Sequence, residues 1–236
     1  MVDLLINGGV VVTVNEDREI LTGGGIVVDD GNIVEVSDQD DIDTQYDAER
    51  TIDATDKVIL PGFINTHTHV ADILLRGGGS TDRPLYDWLF NIIKPARADM
   101  TPEEHAIASA LYTSEAVTSG ITTFVANAVG GGSGYGREII EAKFDVYGHA
   151  GIRNIYGQSF IDAEMESELK EYVELVKQQE PDIKRPPDPR VSTDEALDNI
   201  ESLIQDYHEG PEGRQSVWPA PLSPRSTTVD GLRGSY

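Results

Sequence analysis

Residues Val58–His69 read VILPGFINTHTH. A run of β-formers meets Pro61-Gly62, and a short apolar stretch then closes in His67-Thr68-His69. Successive side chains on a strand point to opposite faces, so residues i and i+2 share one face. His67 and His69 therefore aim at one point, as two imidazole ligands of a transition metal. An isolated His-x-His is a weak signal, since an exposed loop or a core pair spells the same letters. Here the pair ends a strand that leads into a strand-loop-helix rhythm, and the C-terminal ends of such strands are where parallel β/α folds do their chemistry. The sequence offers no obvious third or fourth ligand.

Upstream, residues 2–57 read as a small β-rich unit. Leu4, Ile6, Val10, Val12 and Val14 lie in an apolar stretch broken by Gly8-Gly9. Asp29-Asp30-Gly31-Asn32 separates two strand-like runs and predicts a hairpin. Asp38–Asp47 reads as a polar loop and Thr51–Asp53 as a further strand. Downstream, strand one is Val58–Asn65, followed by a long segment, Val70–Met100, that holds Arg76-Gly77-Gly78-Gly79 and Tyr86–Phe90. Thr101-Pro102-Glu103-Glu104 predicts a capping box that opens a helix ending at Gly120. Strand two, Ile121–Val129, leads to a glycine-rich loop, Gly130–Gly136, and a helix near Arg137–Tyr147. Strand three is Gly151–Ile161, and a charged helix covers about Ala163–Gln179. After the Pro-rich loop Pro181–Pro189, Ser192–Glu195 predicts a second capping box and a helix to about His208. Strand four is Ser216–Ala220, and Thr227–Tyr236 reads as the start of a helix.

Strands separated by helices predict βαβ units and a parallel sheet. The expected class is α/β, with a small β-rich subdomain over 1–57 and an incomplete (β/α)₈ barrel over 58–236. A complete barrel takes about 250 residues, and only four strands are counted here. A smaller complete parallel sheet is the alternative; the helix beginning near Thr227 would then have nothing to pack on.

Composition narrows the function. Acidic residues number 42 against 18 basic ones, for a net charge of −24. The acids are scattered, as at Asp29-Asp30, Asp40-Asp41 and Glu103-Glu104, so the whole surface repels itself unless salt screens it. That pattern predicts a protein of a high-salt cytoplasm and argues against nucleic-acid binding, which draws on Lys and Arg. There is no cysteine, hence no disulfide and no thiolate metal site. The N-terminus lacks a signal-peptide core, and no apolar run approaches the roughly 18 residues of a membrane span.

The motif PGFINTHTH, preceded by Asp53 and Lys57-Val58-Ile59, resembles the first barrel strand of the amidohydrolase superfamily. Leu74–Gly77 (LLRG), Asp87–Phe90 (DWLF), Glu115–Phe124 (EAVTSGITTF) and Gly151–Asp162 (GIRNIYGQSFID) resemble its branch of chlorohydrolases and adenosine- or S-adenosylhomocysteine-type deaminases. The resemblance covers essentially the whole chain. It implies one divalent metal, zinc or iron, held by His67 and His69 together with a His after strand five, a His after strand six and an Asp after strand eight. The metal would acidify a water for attack on an sp² carbon carrying an amino group or halide. Residues for those later positions are not found here, so the chain is expected to be the N-terminal half of a larger hydrolase that neither holds metal tightly nor catalyses by itself. Strand four, Val217–Pro224, has no Lys to bridge two metals, which favours the one-metal branch.

The resemblance also implies substrate-facing roles for Asp87, Trp88 and, where related deaminases carry an Arg, Gln158. Pro221-Leu222-Ser223-Pro224 stands where those deaminases carry a His within a PHSP-like stretch, and the lost polar partner for a purine ring argues against S-adenosylhomocysteine or adenosine as the substrate. His105, in the first turn of a capped helix, is expected to be solvated; His149 and His208 are expected at the face opposite the site. The partner is a small amino- or halo-substituted heterocycle, and a homo-oligomer is compatible. Three alternatives stay open: halo-heterocycle dehalogenation, guanine or cytosine deamination, and a non-enzymatic, partner-dependent half barrel.

Overall fold

The structure, a computed structural model, describes residues 1–78, 82–128 and 136–236. Gly79, Val129 and the expected glycine-rich loop Gly130–Gly136, apart from Gly136, lie outside the described residues. The chain forms two compact units, Met1–Gly62 and Phe63–Tyr236.

The first unit is a five-stranded sheet. Its path runs β3 (Asn32–Asp38), β2 (Ile20–Asp29), β1 (Val2–Val12) and β4 (Ala48–Asp53), and β5 (Val58–Ile59) also pairs with β1. The hairpin forms where the sequence signals it. Asp29 pairs with Asn32 across a two-residue turn in which Asp30 has φ 49° and Gly31 φ 71°. Two positive φ values match the twist of the flanking strands, which is why Asp-Gly suits this position. Gly8 does not break β1. It has φ 85° within a register shift between Asn7 and Gly9, so the strand continues through a bulge. The expected polar loop at Asp38–Asp47 holds a short helix, α1 (Gln39–Gln45). Its one apolar side chain, Ile42, is fully buried against Leu5 and Val27, and that anchor outweighs the polar letters around it.

The expected strand Val58–Asn65 is two strands. Val58–Ile59 joins β1 of the first unit in parallel register, and the boundary expected at residue 57 therefore falls at Gly62 in the contact pattern. Pro61 has no N–H for a central ladder, so the interruption comes where the chain can least continue pairing.

The second unit is a parallel four-stranded sheet in the order β6 (Phe63–Thr68), β7 (Ile121–Ala128), β8 (Arg153–Gln158), β9 (Gln215–Pro219). A 3₁₀ turn, Val70–Leu75, follows β6. Then come α2 (Leu85–Trp88), a π-helical turn over Leu89–Ile93, α3 (Lys94–Ala98) and α4 (Pro102–Thr118). Helix α5 (Arg137–Ala150) connects β7 to β8, α6 (Ser167–Gln179) and α7 (Thr193–Tyr207) connect β8 to β9, and α8 (Val229–Gly234) follows. Four βα steps with strand order equal to chain order make a run of (β/α) barrel units.

Local signals fix the helix ends. Thr101 Oγ1 accepts from the Glu104 N–H at 3.2 Å, and the Glu104 carboxylate accepts from the Thr101 N–H at 2.7 Å, a complete capping box. Gly120, with φ 79°, ends α4 in the left-handed conformation that glycine adopts without strain. At α7 Ser192 caps the Glu195 N–H at 3.2 Å, and no reciprocal bond from Glu195 is recorded among the described residues.

Strand β7 alternates, with Phe124, Ala126 and Ala128 buried toward the helices. They pack with Tyr156, Val217, Ile140, Phe144, Tyr147 and Leu203 into the main core. Phe124 and Tyr147 meet edge to face at 5.1 Å, as do Phe144 and Tyr156 at 5.5 Å, an arrangement favoured by ring quadrupoles. Helix α6 packs elsewhere, its Val173 and Val176 against Phe90 in the π turn. The main core thus holds the helix face of the sheet, leaving Asn127 of β7 to point to the other face. Among the described residues, no helix is long and apolar enough to cross a membrane.

Candidate metal centre

The histidine pair sits where β6 ends. The Phe63 N–H donates to the Gly120 carbonyl at 2.8 Å, tying the start of the strand to the turn before β7. The ladder with β7 then slips between Asn65 and Thr68. Bulges next to active sites re-aim side chains and free backbone groups. Here the freed His67 N–H donates to the Asn65 side-chain carbonyl at 3.2 Å, and the Asn65 amide donates to the Tyr112 hydroxyl at 2.9 Å. His67 is exposed and His69 half-buried. Their rings lie 4.9 Å apart between centroids and nearly perpendicular, at 82°.

One residue of the neighbouring strand touches both rings. His69 Nδ1 lies 3.0 Å from the Asn127 backbone carbonyl, and His67 Nδ1 lies 2.5 Å from the Asn127 side-chain amide nitrogen. A carbonyl oxygen only accepts, so His69 Nδ1 carries the proton and Nε2 keeps its lone pair. This is the arrangement by which metal-ligating histidines are usually oriented. His69 so oriented, with the His67 imidazole beside it, fits part of the ligand set of a zinc or iron ion. Among the described residues no group of three or more His, Asp or Glu converges on a metal position.

Behind the pair lies a small cavity lined by His69, Arg97, Asn127, Lys143, Tyr147 and Tyr156, among others. Its wall is charged. Arg97, on α3, donates to Asp72 of the 3₁₀ turn through Nε at 2.6 Å and through a second, shorter contact. Lys143, on α5, is buried, and burial first, then the positive charge of Arg97, pushes its ammonium down to about 7. His105 is completely buried on α4, a correction to the solvated side chain expected there. Burial, with the charges of Lys143 and Arg97, pushes its imidazole down to about 4. Asp72, Arg97, Lys143 and Asn127 were not singled out by the sequence, although Lys143 falls on the same helical stripe as Ile140, Phe144 and Tyr147.

The expected substrate-side residues do not gather at the pair. Asp87, on α2, accepts from Arg83 at 3.1 Å and from the Asn91 amide at 2.7 Å, a network continued by Arg185. Trp88 is half-buried in the same helix, whose neighbours are in the α6 layer. Gln158 is opposite Ala128 in register, so by strand alternation it shares the buried helix-side face, away from His67 and Asn127. Its amide donates to the Ser159 carbonyl at 2.9 Å. His149 is in the last turn of α5, bonded to the Asp145 carbonyl, and His208 caps α7 and takes the Val217 N–H at 3.3 Å. Arg76 and Glu115 join the LLRG and EAVTSG segments through two contacts of 2.9 Å.

Known proteins resemble this chain in sequence and fold. A 5'-deoxyadenosine deaminase of Methanosarcina barkeri is 38% identical over 124 residues, 52% of this chain and 28% of that protein. A zinc-bound adenosine deaminase of Xanthomonas campestris superposes with a TM-score of 0.76 at 25% identity, over 99% of this chain and 46% of that one. A mutant atrazine chlorohydrolase, TrzN of Arthrobacter aurescens TC1, complexed with zinc and atraton, gives a TM-score of 0.78 at 22% identity, over 98% and 49%. The chain spans about half the length of these solved structures. Residues 58–234, which hold the histidine pair and all four parallel strands, match the model of the Amidohydrolase family, and the chain belongs to that family.

Proposed function

We propose that this chain carries the first two metal ligands, His67 and His69, of a zinc-dependent aminohydrolase that releases ammonia from an amino-substituted heterocycle; similarity to the 5'-deoxyadenosine deaminase favours a nucleoside of the adenosine type, against the departure at Pro221–Pro224. The observation that carries the reading is the Asn127 carbonyl bonded to His69 Nδ1, which leaves Nε2 ready to ligate at the end of β6. The bound metal would supply an acidified water at neutral pH. The chain's own residues orient the two imidazoles, with Asn65 holding the His67 backbone and Asn127 both rings. Asp87 and Trp88 are proposed on the substrate side from family resemblance alone.

The test is ammonia release from 5'-deoxyadenosine, S-adenosylhomocysteine, guanine and a chlorotriazine by the zinc-loaded full-length protein that contains this chain. Release from the nucleosides, lost in His69→Asn, is the expected result. Chloride release from the triazine alone would move the assignment to dehalogenation. No turnover at all would favour a non-enzymatic, partner-dependent chain, a reading supported by the two-ligand cluster among the described residues. Metal content gives a second check. The isolated 236-residue chain should lose zinc on dialysis, because a catalytic zinc normally takes three protein ligands. Stoichiometric retention would overturn the two-ligand site.

The surface charge supports a high-salt cytoplasm. With 42 acids against 18 bases, self-repulsion is screened as the Debye length falls from about 10 Å at 0.1 M salt to about 3 Å at 1 M. The melting temperature should rise across that range of KCl. A flat or falling curve would remove the halophilic reading.

A further inference from the structure

We propose that Asn127 is the positioning residue of the metal pair, with its side-chain amide acting as a two-position selector of the His67 tautomer. This rests on His67 and His69 being metal ligands. The backbone carbonyl of Asn127 fixes the His69 proton on Nδ1. The side chain is different, because an amide offers a donor on one side and an acceptor on the other. With the amide nitrogen against His67 Nδ1, the amide N–H donates, and a neutral ring in that contact holds its proton on Nε2. A protonated Nε2 cannot ligate. Turned over about its last side-chain bond, the amide presents Oδ1, which accepts a hydrogen bond from His67 Nδ1–H; the ring's one proton, exchanged through solvent, then sits on Nδ1, and Nε2 keeps its lone pair. Metal binding by the pair therefore selects the turned-over amide.

The neighbouring strand is shaped for that side chain. Gly157 stands directly opposite Asn127 in the β7–β8 register. A methyl group added there would lie 3.2 Å from Asn127 Oδ1, 3.1 Å from the Ala220 side chain and 3.4 Å from the Ala126 carbonyl. The amide thus rests against bare backbone. Gly157 is not in the left-handed region, so close approach rather than conformation is what its missing side chain provides here.

Long-range ¹H–¹⁵N spectra of the metal-free chain at about pH 8 read the tautomers directly, with amide spectra confirming that each variant folds. In the parent chain His69 should be Nδ1-protonated and His67 Nε2-protonated. Asn127→Asp has only acceptors, so His67 should switch to Nδ1–H while His69 stays unchanged. Zinc affinity, measured by competition with a chromophoric chelator, should fall by tenfold or more in Asn127→Ala, the range typical of lost outer partners. It should be retained or raised in Asn127→Asp. Gly157→Ala, which touches neither ring, should perturb the His67 resonances more than those of His69. An unchanged His67 tautomer in Asn127→Asp, or unchanged zinc affinity in Asn127→Ala, overturns the proposal. If zinc fails to shift either histidine in the parent chain, the ligand reading fails, and the tautomer comparison still decides whether Asn127 sets His67.

Discussion

Lys143→Met should stabilise the chain by a few kcal/mol at pH 7, on the order of the burial penalty that a fall from 10.5 to about 7 represents at about 1.4 kcal/mol per unit. Lys143 is 5% exposed on the apolar stripe of α5, 5.7 Å from the Tyr156 ring centroid and facing the charge of Arg97. Burial holds its ammonium at about 7 against an ordinary 10.5. The folded state therefore binds its proton less tightly than the unfolded chain. Below pH 7 the full penalty applies, and as pH rises from about 7 toward 10.5 the unfolded state holds more protons, so this residue's contribution to stability improves. The Met variant lacks that slope. Urea denaturation of both proteins from pH 6 to 10 should give curves that are furthest apart at the acid end and converge at the alkaline end. A destabilised variant at every pH would mean that the buried ammonium makes a net favourable contribution beside Arg97 and Tyr156.

Much of the fold was legible because its signals are local. The Asp30-Gly31 turn, the Thr101–Glu104 box and the Gly120 stop each act within a few residues, and each appears at the position the letters specify. The four parallel strands follow from the same local rhythm. Where the expectations failed, a partner distant in sequence decided the outcome. Helix α1 hangs on Ile42, whose packing against Leu5 and Val27 is not written in its own polar neighbourhood. Val58–Ile59 left the barrel strand because β1, some fifty residues earlier, was available to pair with it.

The candidate site divides along the same line. A period of two is sufficient to bring His67 and His69 together, and the structure sets their rings 4.9 Å apart. Nothing in the spacing of Asn127 identifies it, since its role depends on the β6–β7 register and on the bulge after Asn65. Gln158 depends on register in the same way. Its place at a strand end was legible, but the face it presents is set by register with Ala128. His105 and Lys143 were legible in principle. Each is a polar residue on a buried helical stripe: His105 shares the period of Ala108, Ser109 and Ala116 on α4, and Lys143 that of Ile140, Phe144 and Tyr147 on α5.

Acid should destabilise the chain through His105 by about 3 kcal/mol, the worth of a folded value near 4 against an unfolded 6.5. His105 is fully buried on α4, with Lys143 and Arg97 facing it as like charges and Glu104 beside it as the opposing one. Burial is the leading cause and favours the neutral ring. Above pH 6.5 both states are neutral here and nothing is lost. Between 6.5 and about 4 the unfolded chain takes up a proton that the folded chain refuses, so stability falls steadily as pH drops, and the loss is complete below about 4. Carboxylates such as Glu104, held low by the Thr101 cap, lose their own contribution at more acid pH and overlap the lower part of this window. The difference between parent and His105→Gln isolates the histidine, because Gln fills similar space and does not titrate. Relative to its own value at pH 7, the variant should lose about 3 kcal/mol less than the parent by pH 4 in urea denaturation. Parallel curves for the two proteins would show that His105 charges in place, and that the cluster behind the metal pair accepts another cation.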